Sequence, residues 1–335
     1  MKKIRVLCKC SLHLLVLIFP LFLTVRIALS QEFIPDWTSI NHSPFNLVEH
    51  SEITNPVITA DDVTDVSATF VADPFLFHED GNWYMFFEVL NTVNGHGEIG
   101  VATSTNGIDL SYNQIVLYER YHLSYPLVFK YEGEYYLSPE TYRLNEVRIY
   151  RATNFPYDWS YYSTLINGKA FVDPTIFLYN NVWWMFVSET GNSNCYLFYS
   201  DNLIEGWTEH PMSPIVKNDK TKARPAGRSF VIDQNRIFRI AQKDDLTYGE
   251  QVRVFEVDEL TKTTYVEHEI SQSPILGTSG SGWNKDGMHH FDPWWNGNNW
   301  LCAVDGNRGG LWSIGIYFAP LFADVPPGFW AEDYI

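Results

Sequence analysis

Apolar and polar positions along residues 72–88 follow the pattern of a β-hairpin. The stretch ADPFLFHEDGNWYMFFE runs from an Asp-Pro pair through an apolar strand, turns at Asp80-Gly81-Asn82, and continues as an aromatic strand that ends at Glu88. An Asp-Gly turn between two such runs is a strong hairpin signal. Hardly any stretch of the chain places apolar residues at helical spacing, so the pattern predicts an all-β protein.

The hairpin pattern recurs four more times, each time with a proline near its start. The copies are SYPLVFKYEGEYYLSPE (124–140), VDPTIFLYNNVWWMFVSE (172–189), RPAGRSFVIDQNRIFRIAQ (224–242) and FDPWWNGNNWLCAVD (291–305). The prolines are 52, 48, 51 and 68 residues apart. These spacings are too long for a helical repeat and suit four-stranded blades. The sequence therefore predicts a five-bladed β-propeller of four-stranded antiparallel blades over residues 61–325.

The first thirty residues have the features of a secretory signal peptide. Basic residues precede the apolar run LLVLIFPLFLTV at 14–25, and small residues follow before Gln31. The alternative is an uncleaved membrane anchor, but the run is shorter than the roughly 20 residues that a span needs. We expect export in either case, and membrane association only if the segment stays attached. Residues 31–60 show no regular pattern and are expected to wrap an edge or to help close the ring.

Charge and cysteine content narrow the classes of partner. The chain carries a formal net charge of -17, which becomes -22 once the signal segment with its five basic residues is removed. Such a surface repels phosphate backbones, so we expect no nucleic-acid partner and a neutral or cationic ligand. Cys195 and Cys302 fall in the third and fifth repeats, which are not neighbours, so they are expected to be buried free thiols.

The proline of each copy marks the start of the strand that lines the central channel, because proline is tolerated where no ladder donor is needed. The residues before the five prolines are expected to point toward one axial pocket: Asp73, Tyr125, Asp173, Arg224 and Asp292. The alternative for Asp73 and Asp173 is an Asx turn that only caps the strand. Their recurrence around one axis favours a functional role.

Several motifs in this order resemble a known family. They include ADPFLF, WYMFFE, HLSYPLVF, YYLSPET, YRATNFPYDW, HPMSPIV, RPAGRSF and YGEQVRVFEV. Over about residues 70–310 the chain resembles the N-terminal propeller of plant glucosamine inositolphosphorylceramide transferases. More broadly it is similar to the five-bladed furanosidase superfamily of arabinanases, β-xylosidases, invertases and levansucrases. Plant members carry a separate C-terminal glycosyltransferase domain, so the expectation here concerns the propeller alone.

The resemblance to the glycosidases implies roles for particular carboxylates. Inverting hydrolysis needs a general base, a protonated general acid and about 6.5–9.5 Å between them. Asp73 matches the superfamily's first-blade base, and Asp173 matches its third-blade helper. The fourth-blade position of the acid instead reads Arg224-Pro225-Ala226-Gly227. Glu140 in SPET is the candidate acid, with Glu88 and Glu189 as alternatives if their side chains face the pocket.

Other residues are candidates for ligand binding. A guanidinium can hold a carboxylate or phosphate. The predicted binding residues are Tyr125, Arg224, Arg228, His289, His290, Asp292 and Trp294, and Trp283 and Trp295 are further candidates for stacking on a sugar. No cofactor is expected except, at most, an axial calcium ion.

The sequence favours an exported propeller that binds a carbohydrate or glycolipid head group and acts on a glycosidic bond. A glycoside phosphorylase and a non-catalytic glycan-binding module remain alternatives.

Overall fold

The structure is a computed structural model and describes residues 33–320. Five small antiparallel sheets form the blades of a propeller, as predicted. The only helical elements in this part of the chain are three single 3-10 turns: Ala60–Asp62, Tyr142–Leu144 and Gly282–Asn284. None of the described helices has the length and hydropathy that a membrane crossing requires.

Each of the first three blades is built in chain order from its inner strand outward. The first blade comprises β2 (Ala68–Glu79), β3 (Asn82–Asn91), β4 (Gly97–Ser104) and β5 (Ser111–Leu117). The second comprises β6 (Ser124–Tyr131), β7 (Glu134–Glu140), β8 (Glu146–Asn154) and β9 (Asp158–Asn167), and the short β1 (Phe33–Ile34) pairs with β6. The third comprises β10 (Phe171–Tyr179), β11 (Val182–Glu189), β12 (Cys195–Ser200) and β13 (Thr208–Glu209).

The last two blades are less regular. The fourth comprises β14 (Phe230–Ile232), β15 (Arg236–Lys243), β16 (Gln251–Leu260) and β17 (Tyr265–Glu269), and β18 (Leu276–Gly277) also pairs with β16. The fifth has three strands rather than the predicted four: β19 (Phe291–Trp295), β20 (Trp300–Arg308) and β21 (Leu311–Ala319).

The segment before the first blade contacts the outer strand of the fifth blade. Val48 bridges Phe318 and Ile58 bridges Ile314, both antiparallel, through backbone hydrogen bonds of 2.7–3.3 Å. This pairing satisfies backbone groups of β21 that an unpaired edge would expose. The segment that leads into the first blade and the last described strand therefore meet in the fifth blade, which joins the ends of the ring.

Aromatic side chains fill the spaces between blades. Trp183 on the third blade packs edge-on against Tyr131 of the second, with ring centroids 4.9 Å apart. Trp37 of the N-terminal segment contacts Trp294 and Trp300 of the fifth blade in the same way. Edge-to-face pairs are a favoured aromatic geometry. Cys195 and Cys302 are both free and buried, as expected.

A β-bulge interrupts the inner strand of each of the first three blades at its Xaa-Pro pair. The register slips between Ala72 and Phe75 in β2, and equivalent slips occur in β6 and β10. The residue before each proline is left-handed: Asp73 has φ 53°, Tyr125 φ 50° and Asp173 φ 52°. Proline fits the bulge because it has no N–H to offer the ladder. These bulges set the direction of the backbone at the start of each of these three inner strands.

Candidate functional site

The three bulge residues donate hydrogen bonds from one blade to the carboxylate of the blade before it. Asp73 N–H binds Oδ2 of Asp305 at 3.1 Å, and Tyr125 N–H binds Oδ2 of Asp73 at 3.2 Å. Asp173 N–H binds Oε2 of Glu140 at 3.3 Å. Because each left-handed residue turns its N–H toward the preceding blade, Asp73 is linked to Asp305 of the fifth blade and to Tyr125 of the second, and Asp173 is linked to Glu140.

The far end of the second strand of every blade supplies another polar side chain. These residues are Glu88, Glu140, Glu189, Gln242 and Asp305. Four of them are buried, and Glu189 is half-buried. Asp305 and Gln242 were not among the sequence candidates. Both end their copies of the repeated hairpin, so the same alignment that pointed to Glu140 contained the signal for them.

Arg224 forms an ion pair with Asp173. Its Nε donates to Asp173 Oδ2 at 2.5 Å and its Nη2 donates to Oδ1 at 3.1 Å, while Nη1 donates to Asn192 at 3.3 Å. The Nη2 atom also lies 3.5 Å from Glu140 Oε2. Gln242 donates a further hydrogen bond to Asp173 at 3.1 Å. Asp173 is therefore a held carboxylate, and Arg224 is the guanidinium that neutralises it.

Two histidines of the fifth blade face Asp73. His289 Nδ1 lies 2.7 Å from Asp305 Oδ2, and its Nε2 lies 3.8 Å from Asp73 Oδ1. His290 Nδ1 lies 3.7 Å from the same Asp73 oxygen. The His289 ring stacks on Trp312 with centroids 3.9 Å apart. Both histidines thus belong to the carboxylate cluster and not to an exposed loop.

The two rings differ in charge because their partners differ. Burial lowers the pKa of His289, but Asp305 and Asp73 outweigh it and raise that pKa to about 9. Burial lowers the pKa of His290 to about 3. At neutral pH His289 is therefore a cation and His290 is neutral.

Burial and crowding raise the pKa of the cluster's carboxyl groups. For Asp73, burial together with the charges of Asp173 and Asp305 raises the pKa to about 7, against the opposing charges of His289 and Arg224. Burial is the main cause that raises the pKa of both Glu140 and Glu88 well above the usual range, and neighbouring carboxylates raise it further. Such strongly shifted carboxyl groups are typical of functional sites, although structural networks also produce them.

The Tyr125 hydroxyl contacts residues beyond its own blade. Its hydroxyl bonds Thr175 Oγ1 at 2.7 Å and donates to the Gly227 carbonyl at 2.8 Å, and it accepts a hydrogen bond from Gly227 N–H at 2.7 Å. Gly227 has φ 135°, and a Cβ there would lie 1.9 Å from the carbonyl oxygen of Phe291. The tyrosine therefore ties the second, third and fourth blades together.

Three predicted binding residues have partners inside the protein. Arg228 donates to Asp292 at 2.9 Å and to the carbonyls of Val128 and Leu76 at 3.0 Å each. Asp292 also accepts from the N–H of Leu76 at 2.7 Å. The fifth blade has no bulge at Asp292, so this residue does not repeat the geometry of Asp73. Trp294 is buried against Trp37. A ligand-binding role for these three stays a prediction.

One group of side chains among residues 33–320 has the spacing of a metal site. Ligand atoms of Asp73, His289 and Asp305 all lie within 4.8 Å of one another. A carboxylate-rich set of this kind suits a hard cation such as calcium through its oxygens. The closest approach within the group, however, joins His289 Nδ1 to Asp305 Oδ2, so these two atoms already neutralise each other.

The comparison with protein families matches nearly the whole propeller. A family model described as glucosamine inositolphosphorylceramide transferase 1, N-terminal, matches residues 45–307. The chain belongs to this family. The rice (Oryza sativa subsp. japonica) glucosamine inositolphosphorylceramide transferase 1 is 35% identical over 268 residues, and the Arabidopsis thaliana protein of that name is 34% identical over 268 residues.

These relatives are much longer than the chain. The rice match covers 76% of this chain and 36% of the relative, and the Arabidopsis match covers 76% and 35%. The match therefore spans about a third of the length of these relatives, and the family model is described as their N-terminal part.

Solved structures share the architecture at low sequence identity. The catalytic domain of a GH62 α-L-arabinofuranosidase from Coprinopsis cinerea matches with a TM-score of 0.59 and 14% identity, covering 84% of this chain and 96% of that chain. A structure from the GH130 family of mannoside phosphorylases, described as containing glycoside hydrolases that target β-1,2-mannosidic linkages, matches with a TM-score of 0.62 and 13% identity, covering 87% and 99%. At such identities the likeness shows the fold.

Proposed function

We propose that the chain is a carbohydrate-active propeller that binds a glycan at the axial carboxylate cluster and acts on a glycosidic bond. The observation that carries this proposal is the buried group of carboxylates. Asp173 and Glu140 are joined by a bulge hydrogen bond and by the Arg224 ion pairs, and Asp73, which accepts a hydrogen bond from Tyr125, interacts electrostatically with Asp173. The glycosidase-like neighbours and the glycolipid transferase family support a carbohydrate or glycolipid ligand.

Asp73 is the proposed general base. Its pKa of about 7 leaves a large fraction ionised near neutral pH while keeping the carboxylate basic enough to accept a proton from water. The Tyr125 N–H fixes Oδ2, and His289 and His290 face Oδ1. The carboxylate is thus oriented from two sides, as a base must be to activate one water molecule.

Glu140 is the proposed general acid in place of the fourth-blade glutamate. Burial, and then the charge of Asp173, raise the pKa of Glu140 well above its ordinary value, which favours the protonated form that a general acid needs. The Asp173 N–H and the Arg224 guanidinium both lie on Oε2, so the proton belongs on Oε1. Arg224 therefore supports the acid instead of acting as one. Glu88, whose pKa is raised in the same way, is the second candidate for this role.

A non-catalytic glycan-binding module is the second candidate function. The bidentate ion pair between Arg224 and Asp173 favours it, because this salt bridge occupies a carboxylate that a glycosidase would use in its active site. Phosphorolysis has less support, because the guanidinium groups of Arg224 and Arg228 are both engaged with protein oxygens and neither is free to hold phosphate.

A glycan-array screen followed by product analysis tests the proposal. We expect binding to a restricted set of glycans and release of sugar from the bound ones in phosphate-free buffer, with inversion at the anomeric carbon if the two carboxyl groups act as proposed. Binding without any released product supports the module. Release that requires phosphate supports the phosphorylase.

Export is also part of the proposal. It rests on the signal-like residues 1–30, which lie outside the described part of the chain. The test is the N-terminal sequence of the protein recovered after expression in a secreting host. A mature start near Gln31 would support cleavage, whereas a retained segment in a membrane fraction would support the anchor.

A further inference from the structure

Tyr248 is an exposed aromatic residue beside the buried carboxylates Asp73 and Asp173. It lies in the loop between β15 and β16 and is the first residue of the motif YGEQVRVFEV. The residue is 48% exposed, whereas the side chains of its neighbours Arg224 and His289 are 14% and 3% exposed. A molecule that approaches the buried groups from this side therefore meets Tyr248 first.

The ring of Tyr248 is held by three neighbouring side chains. The Arg224 guanidinium lies 5.3 Å from its centroid, within the range of a cation–π contact. The His289 ring lies 5.3 Å away and the Trp312 ring 6.2 Å away, both edge-to-face. Arg224 and His289 are also the groups that pair with buried carboxylates. The ring is therefore fixed in position directly beside the proposed site.

The loop that carries this tyrosine is anchored on both sides. Asp244 Oδ1 accepts a hydrogen bond from the N–H of Gly249 at 2.7 Å, and Asp244 Oδ2 accepts one from Asn192 at 3.1 Å. Gly249 has φ 69°, and a Cβ there would lie 2.6 Å from the Trp312 ring and 2.9 Å from the Cβ of His289. The loop thus packs closely against the fifth blade. Little further ordering is needed for the tyrosine to contact a ligand.

The hydroxyl of Tyr248 is the part of the side chain that the protein does not use. Within residues 33–320 it hydrogen-bonds to no other residue, since the contacts of Tyr248 are made by its ring. Burial, opposed by the charge of Arg224 and reinforced by those of Asp73 and Asp173, raises the pKa of this hydroxyl well above its ordinary value. The hydroxyl of a tyrosine on a convex surface would keep its ordinary pKa. This one therefore points into a recess, although the residue is open to solvent.

A sugar ring suits this combination of groups. Sugars present C–H groups on their faces and oxygen atoms around their edges. Tyrosine offers the complementary pair, an apolar ring and a polar tip. A hydroxyl that stays protonated at neutral pH can donate a hydrogen bond to a sugar oxygen.

We propose that Tyr248 forms a sugar-binding subsite beside the buried carboxylates, in which its ring packs against one face of a sugar unit and its hydroxyl donates a hydrogen bond to an oxygen of that unit. This inference rests on the proposed glycan-binding function and adds to it a residue that the repeated hairpin does not mark.

Isothermal titration calorimetry on the full chain tests the subsite. The probes are cellohexaose, xylohexaose, mannohexaose and arabinohexaose, together with any glycan that binds on the array. For each probe that binds, we expect Tyr248→Phe to raise the dissociation constant by about two- to tenfold, as suits the loss of one hydrogen bond. Tyr248→Ala removes the ring as well, and we expect it to raise the dissociation constant by about tenfold or more.

Tyr248→Phe separates binding from packing. It keeps the ring contacts with Arg224, His289 and Trp312 and removes only the hydroxyl. Its free energy of unfolding in urea should therefore equal that of the wild type, so that weaker binding is not the result of a damaged fold. Tyr118→Phe and Tyr118→Ala are the matched controls, because Tyr118 is 74% exposed and follows the outer strand of the first blade. Both should leave the dissociation constants unchanged.

A labelling experiment on the wild type needs no variant. N-acetylimidazole acetylates accessible tyrosine hydroxyls, and peptide mass spectrometry measures the modification of each one. We expect a bound probe to slow the acetylation of Tyr248 several-fold and to leave that of Tyr118 unchanged. This comparison decides the matter even if Tyr248→Ala does not fold.

The contrary results fall on different parts of the inference. Unchanged affinity in Tyr248→Ala, or equal acetylation of Tyr248 with and without a bound probe, would overturn the subsite while leaving glycan binding intact. Weaker binding by Tyr248→Ala together with unchanged binding by Tyr248→Phe would overturn the hydrogen bond. If the wild type bound neither the four hexasaccharides nor any glycan on the array, glycan binding itself would be contradicted, and the subsite with it.

Discussion

The backbone N–H of Tyr125 donates a hydrogen bond to Oδ2 of Asp73 across the first and second blades, at 3.2 Å. Tyr125 can do so because its φ of 50° is left-handed, a conformation that bulky residues rarely adopt. Its hydroxyl is held by Thr175 of the third blade and Gly227, which precedes the fourth-blade strands. The orientation of the proposed base therefore depends on a tyrosine that is fixed at both ends.

Tyr125→Phe should destabilise the protein. The substitution leaves the N–H and the carbonyl of Gly227 without their buried partner, so we expect the free energy of unfolding to fall by about 1–3 kcal/mol. Urea denaturation measures this change. Tyr161→Phe is the control, because the Tyr161 hydroxyl is exposed and should contribute little. Equal stability of the two variants would argue against the central role of the Tyr125 hydroxyl.

Arg224→Ala should cost more than the loss of a surface ion pair. The substitution leaves Asp173 as a buried carboxylate without its guanidinium partner. Breaking a buried ion pair in this way typically lowers the free energy of unfolding by about 3 kcal/mol, and the loss is smaller here because water can partly replace the partly exposed arginine. Lys262→Ala breaks the exposed pair with Asp201 and should change stability by less than about 1 kcal/mol.

Adding Asp173→Asn to Arg224→Ala tests the same pair a second way. The asparagine side chain is neutral, so its burial does not require a positive partner. We therefore expect the double variant to be more stable than Arg224→Ala alone, as measured by chemical denaturation. No recovery would mean that Arg224 acts through packing rather than charge.

Glu140→Gln should flatten the dependence of stability on pH. Burial raises the pKa of Glu140 above its ordinary value, so the folded state binds this proton more tightly than the unfolded chain. That contribution is complete below the ordinary pKa and is lost as pH rises through the folded value. The glutamine side chain is uncharged at every pH and so resembles the protonated carboxyl group of Glu140. The variant should therefore lose less stability than the wild type between mildly acidic and alkaline pH in a series of thermal melts. Parallel curves would contradict the raised pKa.

Activity should rise as pH increases through about 7. The proposed base must be ionised, and the pKa of Asp73 is about 7. His289 lowers that pKa through its charge, so His289→Gln should move the acidic limb of the kcat/KM profile to higher pH. If the acidic limb of the kcat/KM profile stays at the same pH in His289→Gln, a group other than Asp73 controls that limb.

The repeated hairpin was sufficient to predict the blades, because alternating strands, turn residues and a fixed spacing all pointed to the same architecture. It also brought Asp73 and Asp173 to one cluster, since the prolines mark the inner strands. The partner of Arg224 could not be predicted, because the choice between a ligand and Asp173 depends on side-chain directions that the bulge sets.

The alignment of the repeated hairpins does not predict the geometry of Asp292. Its Asp-Pro pair looks equivalent to Asp73-Pro74, but the fifth blade lacks the bulge, and the side chain turns to Arg228 and the backbone of Leu76 instead. Asp305, at the end of the same hairpin, is the fifth-blade carboxylate that contacts Asp73 and His289. The one-residue bulge, which is present at Asp73 and absent at Asp292, thus accounts for the different surroundings of the two side chains.

Release of sugar by the wild type and by Asp73→Asn tests the central claim most directly. On a glycan that the array identifies, we expect the wild type to release product and the variant to be slower by about 10²–10⁴-fold, with the dissociation constant nearly unchanged. Equal rates of release would contradict the assignment of Asp73 as the base, and no release by the wild type on any bound glycan would contradict catalysis itself.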